Sequence, residues 1–93
     1  MNVADKLDKI ANLLESRGWT QKQYTNAQGR MCLLGASAEL FFWGEQNAPL
    51  EYLRTYLDTW NLTAWNDAPG RTQEEVITTL RSAAEKARTI DIL

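Results

Sequence analysis

The feature that most constrains this fold is an apolar stripe with helical spacing, because it recurs in three separate parts of the chain. The first stripe consists of Val3, Leu7, Ile10 and Leu14. Residues three and four positions apart share one face of an α-helix, whereas in a strand every second residue shares a face. Asn2 can cap the start of such a helix, and Gly18 suits the position after its last residue, Arg17. The sequence therefore predicts a first helix over residues 3–17.

Two further stripes lie in the second half of the chain. One consists of Leu50, Leu53, Leu57 and Trp60, and the other of Val76, Leu80, Ala83, Ala84 and Ala87. Before them, residues 33–43 are too densely apolar for one stripe, which predicts a central buried helix that ends at Gly44. Gly35 weakens that helix by about 1 kcal/mol relative to alanine, so we expect another backbone or an indole ring to approach closely there.

The segment WTQKQYTNAQGRMCLL, residues 19–34, separates the first two predicted helices. Trp19, Thr20, Tyr24 and Thr25 favour extended backbone, and NAQGR is typical of a turn in which Gly29 supplies a positive φ. The segment predicts a short β-hairpin. The expected fold is mainly α, with α+β at the margin: a compact four-helix domain with a short β-hairpin between the first and second helices, a single domain over residues 1–93.

The stretch AWNDAPGRTQEEV, residues 64–76, places turn-forming and cap-forming residues directly before the last helix. Ala68-Pro69-Gly70-Arg71 predicts a type II turn, and Thr72 with Glu75 predicts a capping box. One interpretation is a structural clasp, in which Trp65 packs beneath the turn while Asn66 and Asp67 bond to nearby backbone amides. The other is an anion site formed by Gly70, Arg71 and Thr72, although Glu74 and Glu75 would repel a phosphate.

Composition limits the class of protein. The chain has 93 residues, one cysteine, no histidine and a net charge of −2. One cysteine and no basic apolar leader favour a reducing, cytoplasmic location, and no apolar run approaches the roughly 20 residues that cross a bilayer. The net charge of −2 does not favour wholesale nucleic-acid binding, which a strongly basic domain usually signals. Charge is unevenly placed, however, because residues 16–38 hold three basic residues and no acidic one.

Candidate catalytic groups are few. Cys32 lies at a predicted helix start, where cysteine nucleophiles often occur, but without histidine the usual general base is missing. We therefore interpret Cys32 as a small core residue. Asp67, Glu74 and Glu75 suit a hard cation only in principle, since acidic residues are expected at a helix start. No metal, cofactor or catalytic residue is predicted.

Three motifs resemble a known family. They are RGW at 17–19, GRMCLLGA at 29–36 and WNDAPGRTQEEVITTLRSAAEKA at 65–87. Together they resemble a small, uncharacterised domain-of-unknown-function family of actinobacteria and their bacteriophages, over nearly the whole chain. The resemblance implies a bacterial or phage source and a compact single domain, and it transfers no catalytic residue.

Two surfaces are candidates for binding a partner. The predicted hairpin carries Arg17, Lys22, Tyr24 and Arg30, a basic and amide-rich set that suits phosphates and base edges or is simply a solvated loop. Tyr52 and Tyr56, with Phe42 or Trp43, lie off the predicted core stripes, and such aromatic residues are enriched at interfaces.

These observations favour a small non-enzymatic interaction or regulatory protein, phage-encoded, that binds a host or phage macromolecule in the cytoplasm. The expected partner is a host or phage protein, not a membrane, and the chain is a monomer or a homodimer. The alternative is a weak nucleic-acid-binding module that uses the basic hairpin, because three charges support only weak, salt-sensitive binding.

Overall fold

A computed structural model describes residues 1–41 and 47–92 and is mainly helical, as predicted. Its helices are α1 (Val3–Arg17), α2 (Leu33–Leu40), α3 (Asn47–Leu57), α4 (Leu62–Asn66) and α5 (Gln73–Ile92). Four of them correspond to predicted helices, and the short α4 makes the predicted count of four only approximate. No helix within the described ranges has both the length and the apolar character needed to span a membrane.

The core is built on the pairing of α1 with α5. α1 begins at the predicted cap, where the Asn2 side chain accepts a hydrogen bond from the Asp5 amide at 2.8 Å, and ends before Gly18, which has a φ of 93°. The predicted stripes meet between the two helices, and their buried members are Leu7, Ile10, Leu14, Val76, Leu80, Ala83, Ala84 and Ala87. The buried residues of both helices belong to one core cluster.

Ion pairs border the seam between α1 and α5. Arg81 lies 3.4 Å from Asp8 and 3.6 Å from Glu15, while Arg88 contacts both Asp5 and Asp8. The hydrogen bond with Asp8, followed by that with Asp5, raises the pKa of the Arg88 guanidinium above its ordinary value. The Arg81 and Arg88 side chains thus connect the polar edges of α1 and α5 beside the apolar seam.

The predicted β-hairpin is wrong. Residues 18–32, here called the 18–32 loop, contain two isolated bridges, which pair Met31 with Trp19 and with Thr25. The turn itself forms, with a φ of 81° at Gly29, because the Asn26 side chain accepts hydrogen bonds from the amides of residues 28 and 30. The amides of Trp19 and Lys22 bond instead to side chains from residues 67–73, so no cross-strand ladder develops.

The close approach expected at Gly35 is confirmed. A Cβ on Gly35 would lie 2.1 Å from the carbonyl oxygen of Tyr24, so the 18–32 loop crosses the backbone of α2 directly. α2 is buried from Leu33 to Ser37 apart from the half-buried Leu34 and is exposed at its end. The predicted extent of this helix, residues 33–43, is too long, because α2 ends at Leu40 and Phe41 is in extended backbone. Phe42, Trp43 and Gly44 lie outside the described residues.

The third stripe is only partly buried. Leu50 and Leu53 belong to the core, and Leu57 is half-buried at the end of α3. The placement of Trp60 in this stripe is wrong, because α3 ends at Leu57 and Trp60 is 90% exposed.

Replacing Gly35 with alanine tests the contact with Tyr24. Helix propensity alone would make Gly35→Ala more stable by about 1 kcal/mol. We expect the opposite, a loss of about 1–3 kcal/mol in the free energy of unfolding, because the new methyl group would overlap a backbone oxygen. Urea denaturation measures the sign of the change, and an increase in stability would contradict the observed approach.

Candidate functional site

The amide group of Asn66, at the end of α4, joins three parts of the fold. Its oxygen accepts hydrogen bonds from the indole nitrogen of Trp19 at 2.7 Å and from the amide of Leu33 at 3.1 Å. Its nitrogen donates to the carbonyl of Thr20 at 3.2 Å and to Asp67 Oδ1 at 2.9 Å. Asn66 is 1% exposed, so every polar valence of this buried side chain is satisfied within the protein.

The sequence interpretation placed Asn66 and Asp67 in local bonds with the turn, and their main partners are instead distant in the chain. Leu33 is the first residue of α2, whose amide would otherwise lack an acceptor. Asn66 and Asp67 come directly before the turn residues Pro69 and Gly70, and two adjacent polar side chains at such a place can serve a remote partner, although nothing in the sequence identifies that partner.

The residues around Asn66 hold the 18–32 loop in one shape. Asp67 Oδ1 accepts a hydrogen bond from the Lys22 amide at 2.9 Å, and Gln73 Oε1 accepts one from the Trp19 amide at 3.1 Å. The Gln21 side chain donates to the carbonyls of residues 66 and 68. The 18–32 loop is therefore attached by several hydrogen bonds to the end of α4 and to the turn that follows it.

The turn before α5 forms as predicted. The Arg71 amide donates to the carbonyl of Ala68 at 3.1 Å, and Gly70 has the positive φ, 83°, that a type II turn requires. Thr72 caps α5 by accepting a hydrogen bond from the Glu75 amide at 3.1 Å. The Glu75 carboxylate, however, pairs with Arg71 at 2.8 Å, so the interaction differs from the reciprocal capping box.

Arg71 is held by three internal contacts. Its guanidinium lies 4.1 Å from the centre of the Trp65 ring, its Nε donates to the Trp65 carbonyl at 2.9 Å, and one terminal nitrogen contacts Glu75. Trp65 thus packs beneath the turn, as the clasp interpretation expects. Gly70, Arg71 and Thr72 are adjacent as an anion site requires, but the Arg71 and Thr72 side chains already bond within the chain, and anion binding stays a prediction.

Four predicted partner-binding residues lie on or beside the 18–32 loop. Arg17, Lys22, Tyr24 and Arg30 are all exposed, Tyr24 by 70%. The Arg30 side chain passes over Gly18, next to Arg17. Across residues 1–41 and 47–92, the arginines in salt bridges are Arg54, Arg71, Arg81 and Arg88, and no acidic side chain forms a salt bridge with Arg17, Lys22 or Arg30.

The other predicted aromatic surface is less accessible. Tyr52 and Tyr56 are half-buried on α3 and pack against the core, and Lys86 lies 5.8 Å from the Tyr56 ring centre. The same surface was expected to include Phe42 or Trp43, which fall outside the described part of the chain.

A cavity of about 170 Å³ opens between the 18–32 loop and α4. Its lining includes Lys22, Tyr24, Cys32, Leu34 and Asp67. The core interpretation of Cys32 is confirmed, since it is 7% exposed, and its sulfur also accepts a hydrogen bond from the Gly35 amide at 3.3 Å. Among the residues that the structure describes, no three cysteine or acidic side chains lie close enough together to hold a metal ion.

Comparison with known proteins gives one family. Residues 1–86 match the sequence model of DUF6197, which is described as a family of unknown function. No curated protein and no solved structure matches the chain.

Removing the Asn66 side chain tests its central position. Asn66→Ala leaves the Leu33 amide and the Trp19 indole without their acceptor, and each buried unsatisfied group costs about 1–3 kcal/mol. We expect the free energy of unfolding to fall by at least about 2 kcal/mol in urea. Asn12→Ala, which removes an exposed amide bonded to Arg81, is the control and should cost far less. Equal losses would mean that the Asn66 contacts carry little of the stability.

Substitutions at Thr72 and Arg71 distinguish the clasp interpretation of the turn from the anion-site interpretation. Thr72→Ala should lower stability by about 1 kcal/mol through the lost cap. Under the clasp interpretation, phosphate raises the melting temperature of the wild type and of Arg71→Ala by the same amount, as measured by circular dichroism. A rise in the wild type that Arg71→Ala removes would favour the anion site.

Proposed function

The chain belongs to the DUF6197 family, whose function is unknown, and on that premise we propose that it is a small non-enzymatic interaction protein. It binds a macromolecular partner through Arg17, Lys22, Tyr24 and Arg30, here called the loop surface. The observation that carries the proposal is that these exposed cations have no acidic partner in the described structure, whereas Arg54, Arg71, Arg81 and Arg88 are each paired.

The rigidity of the loop supports this role. Lys22 has a φ of 69°, a conformation that costs a residue with a Cβ roughly 1–2 kcal/mol. The Asp67 carboxylate stabilises that conformation by accepting a hydrogen bond from the Lys22 amide. Strained residues that are held by their surroundings occur at binding sites, and a preformed loop loses little conformational entropy when a partner binds.

The chemistry of the loop surface defines the partner. Three cations and an exposed tyrosine favour an acidic surface that also offers an apolar or planar contact for Tyr24. We propose a host or phage protein as that partner and a phage gene as the source of the chain, acting in the cytoplasm. Of the two predicted partner-binding surfaces, we favour the loop surface over the one with Tyr52 and Tyr56. Tyr24 is 70% exposed, whereas Tyr52 and Tyr56 are half-buried.

Nucleic acid is the second candidate. Phosphates would pair with the same three cations, and a base could stack on Tyr24. With so few contacts such binding would be weak and would fall steeply as salt increases. The two candidates therefore differ in their sensitivity to nuclease and in the partner that remains.

A charge-reversal experiment tests the proposal. The tagged protein is used to capture partners from an actinobacterial lysate, with and without nuclease, and mass spectrometry identifies them. Lys22→Glu with Arg30→Glu should lose the partner, because the reversed charges repel an acidic surface. Lys9→Glu with Lys86→Glu changes the net charge equally at exposed positions outside the loop, and it should retain the partner.

The outcomes are distinct once circular dichroism shows that both variants are folded. A protein that survives nuclease and is lost only from the loop variant supports the proposed function. Retention by the loop variant contradicts it. Loss of every partner after nuclease treatment favours the nucleic-acid alternative.

A further inference from the structure

Trp60 is exposed on a rigid backbone. In the turn that ends α3, the Asp58 amide donates to the carbonyl of Thr55 at 3.2 Å and the Thr59 amide donates to that of Arg54 at 3.0 Å. These are the two hydrogen bonds of a Schellman motif, whose left-handed residue is usually glycine. Here that residue is Asp58, with a φ of 53°. The motif stops the helix and carries the next residues away from the core.

Hydrogen bonds at Trp60 and at the next residue stabilise the backbone that carries the exposed indole. Arg54 Nε donates to the Trp60 carbonyl at 3.2 Å. The side chain of Asn61 then caps α4 by accepting a hydrogen bond from the Ala64 amide at 2.9 Å. The backbone before and after the indole is therefore hydrogen-bonded, so the 90% exposure of Trp60 belongs to an ordered turn and not to a frayed helix end.

The surroundings of the indole are acidic. A shallow cavity of about 250 Å³ is lined by Glu51, Arg54, Thr55, Asp58, Thr59 and Trp60. Arg54 neutralises Glu51 at 3.3 Å. Asp58 is exposed and forms no salt bridge with any described residue, which leaves an uncompensated carboxylate beside an uncovered indole.

Elsewhere the chain contains an indole and a carboxylate that share one cation. At the turn before α5, Arg71 lies 4.1 Å from the Trp65 ring centre and 2.8 Å from the Glu75 carboxylate. An arginine between an indole face and a carboxylate gains both a cation–π contact and an ion pair. Trp60 and Asp58 offer the same two groups, and in the described structure no cation lies over the Trp60 ring.

We propose that Trp60 and Asp58 form a docking site for a cationic side chain, an arginine or a lysine, of a protein partner. Charge complementarity selects this partner, since the unpaired carboxylate attracts a cation and repels a nucleic-acid phosphate. The lining of this cavity shares no residue with the loop surface, and the proposal does not depend on the proposed function. Tryptophan on a preformed backbone is also the residue type that most often dominates binding energy at protein interfaces.

Two-dimensional NMR with short peptides tests the docking site. The probes are a capped twelve-residue peptide that alternates glycine with arginine and a matched peptide with glutamate in place of arginine. We expect the arginine peptide, in low salt, to shift the indole signal of Trp60 and the amides of Asp58 and Thr59 up to a saturating concentration. The glutamate peptide should shift none of them.

Variants assign the binding to the proposed groups. Trp60→Ala should abolish the shifts at Asp58 and Thr59, and Asp58→Asn should weaken the affinity by about threefold to tenfold. Tyr24→Ala, which removes another exposed aromatic ring without changing the net charge, should leave the affinity unchanged. This control separates the docking site from the proposed function of the loop surface.

Other results would overturn the proposal. They are no shift at Trp60 up to several millimolar peptide, equal shifts with the glutamate peptide, or arginine binding that Trp60→Ala retains. Shifts of Trp60 that depend on protein concentration without any peptide would assign the surface to a second copy of the chain instead.

Discussion

One buried carboxamide, that of Asn66, holds the parts of this structure in their relative positions. Its oxygen accepts two hydrogen bonds and its nitrogen donates two, so the hydrogen-bonding capacity of the side chain is fully used. Its partners belong to the start of the 18–32 loop, to the first turn of α2 and to Asp67. Because these groups are shielded from water, each hydrogen bond is costly to break, and a side chain lacking any of the four valences would leave a buried group unpaired. The loop surface takes its shape from this centre.

Local features of the fold were largely predictable, because neighbouring residues decide them. The stripes of α1 and α5, the Asn2 cap and the positive φ at Gly29 and Gly70 follow from spacing and residue type. Gly35 was also informative, since a glycine in an apolar helix usually marks a close approach. For the helix caps and the turns, the physical cause lies within a few residues of the effect.

The features that the sequence missed depend on distant partners. The hairpin was wrong because Trp19 and Lys22 bond to side chains 54 and 45 positions away and not across a ladder. α4 has five residues, too few to show a helical period. Trp60 continues the spacing of α3 but not its helix, because Asp58 adopts the left-handed conformation that its residue type only weakly favours. The docking site therefore emerged from a residue that the periodicity had assigned to the core.

The main partner of α1 among the described helices is α5, whereas α2 and α3 contact α1 less extensively. A helix of 15 residues is marginal on its own in water, and the part of its apolar stripe that faces α5 stays uncovered until residues 76–87 leave the ribosome. Folding of the described chain is thus postponed and then cooperative, since the α1–α5 seam closes the longest loop in the structure. A nascent chain that stalls before residue 76 would present bare apolar surface and become a substrate for chaperones or proteases.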